Sequence, residues 1–164
     1  MLNSGPFLQN ASQKLTGNGY RPLDPGKYQP LGFKYGVYRS RFEPSKFGIA
    51  ERFFMFAEIP DLSREVLGSF SSTSFQFANR NKSAPLPNGF FMSVFCFAVA
   101  ITANVHPQLM QSVCETPPIK HWAAFEMPVV YDLANGGLHY YQGTPLWGAA
   151  YYAGFRREVE MNLR

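Results

Sequence analysis

Gly89-Phe-Phe-Met-Ser-Val-Phe-Cys-Phe-Ala-Val-Ala-Ile-Thr-Ala-Asn-Val105 is the only long apolar run in the chain. It lies inside a wider gap, residues 83–114, that holds no Lys, Arg, Asp or Glu. Its 17 residues would form a helix about 25 Å long, the short end of what spans a bilayer. A soluble helix normally keeps one polar face, and here no face carries charge. A strand asks for β-branched residues, and only Val94, Val99, Ile101, Thr102 and Val105 supply them among Phe, Ala, Met and Ser. Leu86-Pro-Asn88 breaks the chain before the run, and His106-Pro107 ends its strongest part. The run reads as one transmembrane helix over residues 89–107. The alternative is an element buried in a folded domain. Its position after residue 88 excludes a signal peptide.

On a helix turning about 100° per residue, Ser93, Cys96, Ala100, Ala103 and Asn104 share one side. Phe91, Val94, Phe95, Ile101 and Val105 cover the other. A small, weakly polar stripe lets two membrane helices approach closely, so those five are the expected helix-packing residues. Asn104 either bonds to a neighbouring helix or sits at the interface near the helix end.

Charge suggests an orientation. Eleven Lys/Arg and six Asp/Glu precede the run, and four Lys/Arg and five Asp/Glu follow it. Basic flanks stay on the cytoplasm-like side, which places the N-terminal half there and the C-terminal half across the membrane. Charged residues are 16% of the chain and aromatic residues also 16%. The charge is low for a free-standing globule, for which about 25% is usual. Aromatic side chains scattered through Pro- and Gly-rich stretches are expected to enter a neighbour's surface.

The remaining segments fit this picture. Residues 1–46 read as an extended Pro/Gly-rich arm without periodicity, disordered unless neighbouring chains hold it. Within it Phe33-Lys-Tyr-Gly-Val-Tyr-Arg-Ser-Arg-Phe42 interleaves rings and cations. That suits a nucleic-acid platform or, in better agreement with the orientation, a segment along a partner or headgroup surface. Residues 47–88 read as short amphipathic helices and a loop, with one helix ending at Gly68. Residues 108–164 read as an irregular tail with a C-terminal helix at about 145–161, started by Thr144-Pro145. His121, Trp122 and Trp147 are the expected interface anchors.

Chemistry is sparse. His106, His121 and His139 show no metal-ligand spacing, and no Cys-x-x-Cys occurs. His106 suits a haem or chlorophyll ligand or, more simply, a capping or interface histidine. Cys96 and Cys114 would lie about 27 Å apart on a continuous helix, too far for a disulfide. No catalytic residue, cofactor or metal site is expected.

The stretch from the run through Pro117-Pro118-Ile-Lys-His121-Trp122 to Met127-Pro128 resembles the single-span SGDH-type subunit of mitochondrial complex I. The overall layout resembles single-span supernumerary subunits of respiratory complexes, including that of cytochrome c oxidase. The resemblance implies a mostly α fold with extensive irregular structure, one transmembrane helix and no independent globular core. It implies a non-catalytic accessory subunit of an inner-membrane energy-transducing complex. The N-terminus would face the matrix and the C-terminus the intermembrane space. Its partners would be other subunits and the lipid bilayer, without nucleic acid. A thylakoid photosystem subunit, or a soluble capsid-like structural protein with the apolar run buried, are the alternatives.

Overall fold

In a computed structural model, which describes residues 3–44, 48–83, 86–89, 91–145 and 149–164, the apolar run forms the middle strand of a sheet. Strand β4 (Met92–Thr102) pairs in parallel with β3 (Gly48–Glu58) on one side and β6 (Ala124–Asp132) on the other. Both faces and both edges of β4 are therefore covered, and a strand so placed is apolar throughout. This is the origin of the uncharged gap.

Outside β3 lies β2 (Tyr35–Glu43), antiparallel to it, and then the two-residue β1 (Arg21–Pro22). On the far edge of β6, the short strands β5 (Ile119–His121) and β7 (Gly137–His139) pair antiparallel with its two ends. The order β1-β2-β3-β4-β6-β5, with β7 beside β6, makes seven strands among the described residues. Parallel neighbours need long crossovers. Helix α3 (Arg64–Arg80) joins β3 to β4, and α4 (Pro107–Glu115) with β5 joins β4 to β6. A mixed seven-stranded sheet with helices on both faces replaces the expected mostly α, single-span fold.

Size alternates along β4. Phe95, Phe97, Val99 and Ile101 enter one core with α1 (Gly5–Gly17) and α5 (Ala149–Leu163). Met92, Val94 and Cys96 enter a second core beneath α3, and Ala100 a third with Leu109 and Val113 of α4. A strand's period of two thus splits the five residues expected on one helix face. Cys96 and Ala100 share a sheet face, Ser93 is half-buried on the opposite one, and Ala103 and Asn104 follow the strand.

Among the described residues no helix is long and apolar enough to cross a membrane. The two halves expected on opposite sides of a membrane touch each other. Asn18 Nδ2 donates to Asn162 Oδ1 at 2.9 Å, and Tyr20 Oη to Glu158 Oε2 at 2.8 Å. The inner-membrane topology, with its matrix and intermembrane-space ends, is thereby overturned.

The expected N-terminal arm is folded as well. Phe7, Ala11 and Leu15 recur every four residues and are buried by α1, with Pro6 in its first turn. The Gly and Pro residues that suggested disorder mark the helix's limits. Asp24 then caps the short helix α2 (Pro25–Tyr28) by accepting the Gly26 N–H at 3.0 Å. Phe7 stacks on Tyr131 with ring centroids 3.6 Å apart, so the aromatic residues fill this chain's own core. Most of residues 47–59, read as helical, form β3. Gly68 does not end a helix, because α3 continues to Arg80. A C-terminal helix does form, over Ala149–Leu163.

Candidate functional site

The carboxyl ends of β3, β4 and β6 and the amino ends of α3 and α4 gather at one edge of the sheet. Ligands of α/β sheets bind at such an edge, where strands give way to loops and helix starts offer unpaired N–H groups. Here the elements enclose a crevice of about 910 Å³. Its polar wall includes Asp61, Ser63, Arg64, Asn104, His106 and Asp132.

Each wall follows from local sequence. Pro60 follows the end of β3 and cannot donate to a ladder. Ser63 caps α3, its Oγ accepting the Val66 N–H at 3.2 Å. Thr102 closes β4. Its Oγ1 donates to the Pro60 carbonyl at 3.3 Å and accepts the Asn104 N–H at 3.4 Å, tying two rims of the crevice together. His106 precedes Pro107 at the start of α4, and its side chain makes no capping bond. Asp132 ends β6 almost fully buried, with Oδ1 accepting the Ala134 N–H at 2.9 Å. The Leu133 N–H reaches back to the Thr102 carbonyl at 2.8 Å. Two carboxylates, one guanidinium, an imidazole and an amide thus face a rim held by backbone bonds.

The other buried polar groups do different work. Glu51, fully buried, accepts the Ser83 N–H with both carboxylate oxygens at 3.0 Å, and the Ser83 hydroxyl as well. It ties the segment after α3 to β3. Glu126 is buried beside Cys96, to which it is directly paired in the β4–β6 register. Burial pushes the Glu126 carboxyl above the usual carboxylate range, and His121 pulls it part of the way back. His121 Nε2 stands 3.6 Å from Glu126 Oε2, while its ring stacks on Phe75 at 4.1 Å. Burial, reinforced by Glu126, holds the Cys96 thiol protonated far above its ordinary value. A buried thiol kept neutral is not a nucleophile.

Comparisons with known protein families, with curated proteins and with solved structures return no match. The resemblance to single-span respiratory subunits rested on a span, and that span is strand β4.

The expected site residues divide accordingly. Ala103, Asn104 and His106 come together in the crevice. Cys96 and Ala100 are core residues. His121 lies under Phe75 rather than at a headgroup layer. Trp122 is 79% exposed in the tight β5–β6 turn, next to Ala123 at φ 51°. Trp147 lies outside the described residues. Asp61, Arg64 and Asp132 escaped the sequence reading. The signal for Asp132 is an apolar run, Met127-Pro-Val-Val-Tyr, that stops at an acid, as a buried parallel strand does at its ligand-facing end.

Proposed function

We propose that this chain is a non-catalytic binding domain, and that the crevice at the carboxyl ends of β3, β4 and β6 holds a small polar molecule. The convergence of three strand ends and two helix starts on one crevice lined by mixed donors and acceptors carries this reading. About 910 Å³ is within the range of small-molecule sites. Asp61 and Asp132 accept hydrogen bonds, Arg64 donates them, and Asn104 and His106 do either. The ligand that suits this wall carries both hydroxyl or amino donors and carbonyl-type acceptors.

The non-catalytic part draws on the way reactive groups are used. Among the described residues no serine or cysteine is hydrogen-bonded to a histidine. Ser63 is engaged by Val66, and Ser112 lies 3.5 Å from Thr116. Binding without turnover keeps the accessory character expected from the sequence while giving up the membrane.

A thermal-shift screen of polar metabolites tests the reading. A binder should raise Tm, and Asn104→Ala and His106→Ala should each weaken it about fivefold to tenfold, the worth of one hydrogen bond. Both side chains lie in the loop after β4, so Tm without ligand should hardly change. The bound compound should be recovered unaltered after prolonged incubation. Binders insensitive to both substitutions would place the site elsewhere, and chemical conversion of the ligand would make the chain an enzyme.

A further inference from the structure

At the opposite end of the sheet, on its other face, Glu158 of α5 reaches Arg39 of β2 and Arg52 of β3, and a cleft of about 580 Å³ lies between these elements. Four arginines line it: Arg39 and Arg41 from β2, Arg52 from β3, and Arg157 from α5. Arg39 and Arg52 are direct cross-strand partners. Like charges so placed repel each other, and Glu158 of α5 stands between them. It accepts from Arg39 Nη2 and lies 3.5 Å from Arg52 Nε. Arg52 also donates to Glu43, and Arg39 to the Asn18 carbonyl. The Arg39 guanidinium covers the Tyr20 ring, and that of Arg52 the Phe95 ring. These two arginines are fixed in place.

Arg41 and Arg157 are exposed and have no carboxylate partner among the described residues. Among the described residues, four guanidinium groups therefore meet two carboxylates, Glu158 and Glu43, leaving two guanidinium groups in excess. Arg39 Nε, fully buried, also has no hydrogen-bond partner. Packing alone does not call for such a surplus in a cleft.

Gly154 sits inside α5 and lines the cleft, and a Cβ built on it would meet nothing within 4 Å. A larger side chain at this exposed position would project into the open cleft beside Tyr151 and Phe155.

We propose that this cleft binds a small molecule through a phosphate group held by Arg41 and Arg157. A phosphate dianion balances the two surplus charges, which one carboxylate does not. Two planar guanidinium forks suit its several oxygens. The volume matches a small molecule rather than a length of polymer.

Calorimetric titration of the full chain with pyrophosphate and adenosine 5′-monophosphate, with adenosine as the uncharged control, tests the proposal. Both phosphate compounds should bind saturably, and adenosine should not. Arg41→Ala and Arg157→Ala should each weaken binding about tenfold to a hundredfold, the loss expected for a charge-assisted bond. Gly154→Leu should weaken it comparably by projecting into the cleft, with all four arginines kept. Tm should stay at or above the parent value in that variant, because leucine is the better helix former. Absence of saturable binding by either phosphate compound would overturn the proposal. So would full binding by the Arg41→Ala/Arg157→Ala double variant. A single-stranded oligonucleotide that bound tightly and ignored Gly154→Leu would also overturn it, in favour of an open nucleic-acid surface.

Discussion

The two faces of strand β4 are built from different stock. Toward α1 and α5 it presents Phe95, Phe97, Val99 and Ile101; toward α3 and α4 it presents Val94, Cys96, Ala98 and Ala100. On the first face the rings interlock. Phe54 stacks on Phe97 at 4.5 Å, and Phe155 of α5 packs against Phe95 at 5.3 Å and Phe125 at 5.1 Å. On the second, small side chains give the helices room to pack closely, and buried carboxylates, Glu51 and Glu126, sit near the starts of β3 and β6. One face holds the sheet by filled volume. The other holds it by close approach, and its margin carries the titratable groups.

Substitutions of opposite kinds should break the two faces. Phe97→Ala opens a cavity among the rings and should lower stability by about 3–5 kcal/mol in a denaturant titration. Ala100→Phe forces a ring between β4 and the Leu109–Val113 side of α4, and should cost about 1–3 kcal/mol. If Ala100→Phe were silent, the small face would not be close-packed.

The next effect is smaller and depends on pH. The Glu126 carboxyl has a folded-state value above its unfolded one, so the folded chain binds the extra proton and loses stability as pH rises through that window. Glu126→Gln removes the penalty while keeping the shape. Its Tm should match the parent below the usual carboxylate range and pull ahead of it as pH rises above that range. A Tm difference constant across that range would show that burial of Glu126 is not what sets it.

Smallest is the change at the exposed turn. Trp122→Ala should leave stability within about 0.5 kcal/mol, since the ring is not part of either face. A large loss of stability would mean that the turn is a packing element after all.

Parts of this architecture were legible in the chain. The existence of the apolar run and of a C-terminal helix follows from local rules about composition, capping and proline, whereas the Ser63 cap of α3 and Pro107 in the first turn of α4 do not stand out, because those segments read as a helix ending at Gly68 and as the end of a span. The Phe95-Cys-Phe-Ala-Val-Ala-Ile101 alternation was also present, but as an alternation of size. A polarity pattern marks a strand with one wet face, and β4 has none. Cys96 and Ala100, four apart, share a face in a helix and in a strand alike, so that spacing cannot discriminate between them.

The tertiary structure alone decided the rest. An apolar segment is satisfied by lipid or by two flanking strands and two layers of helix, and the segment itself carries no record of which is present. Its partners β3 and β6 are separated from it in sequence by whole helices. The two candidate sites depend on the same long-range pairing. Asp61, Asn104 and Asp132 meet only because three strands end at one edge. Arg39 faces Arg52 only because β2 pairs with β3 in one register. Local composition determined which segments avoid water, and the pairing of distant segments determined what they avoid it with.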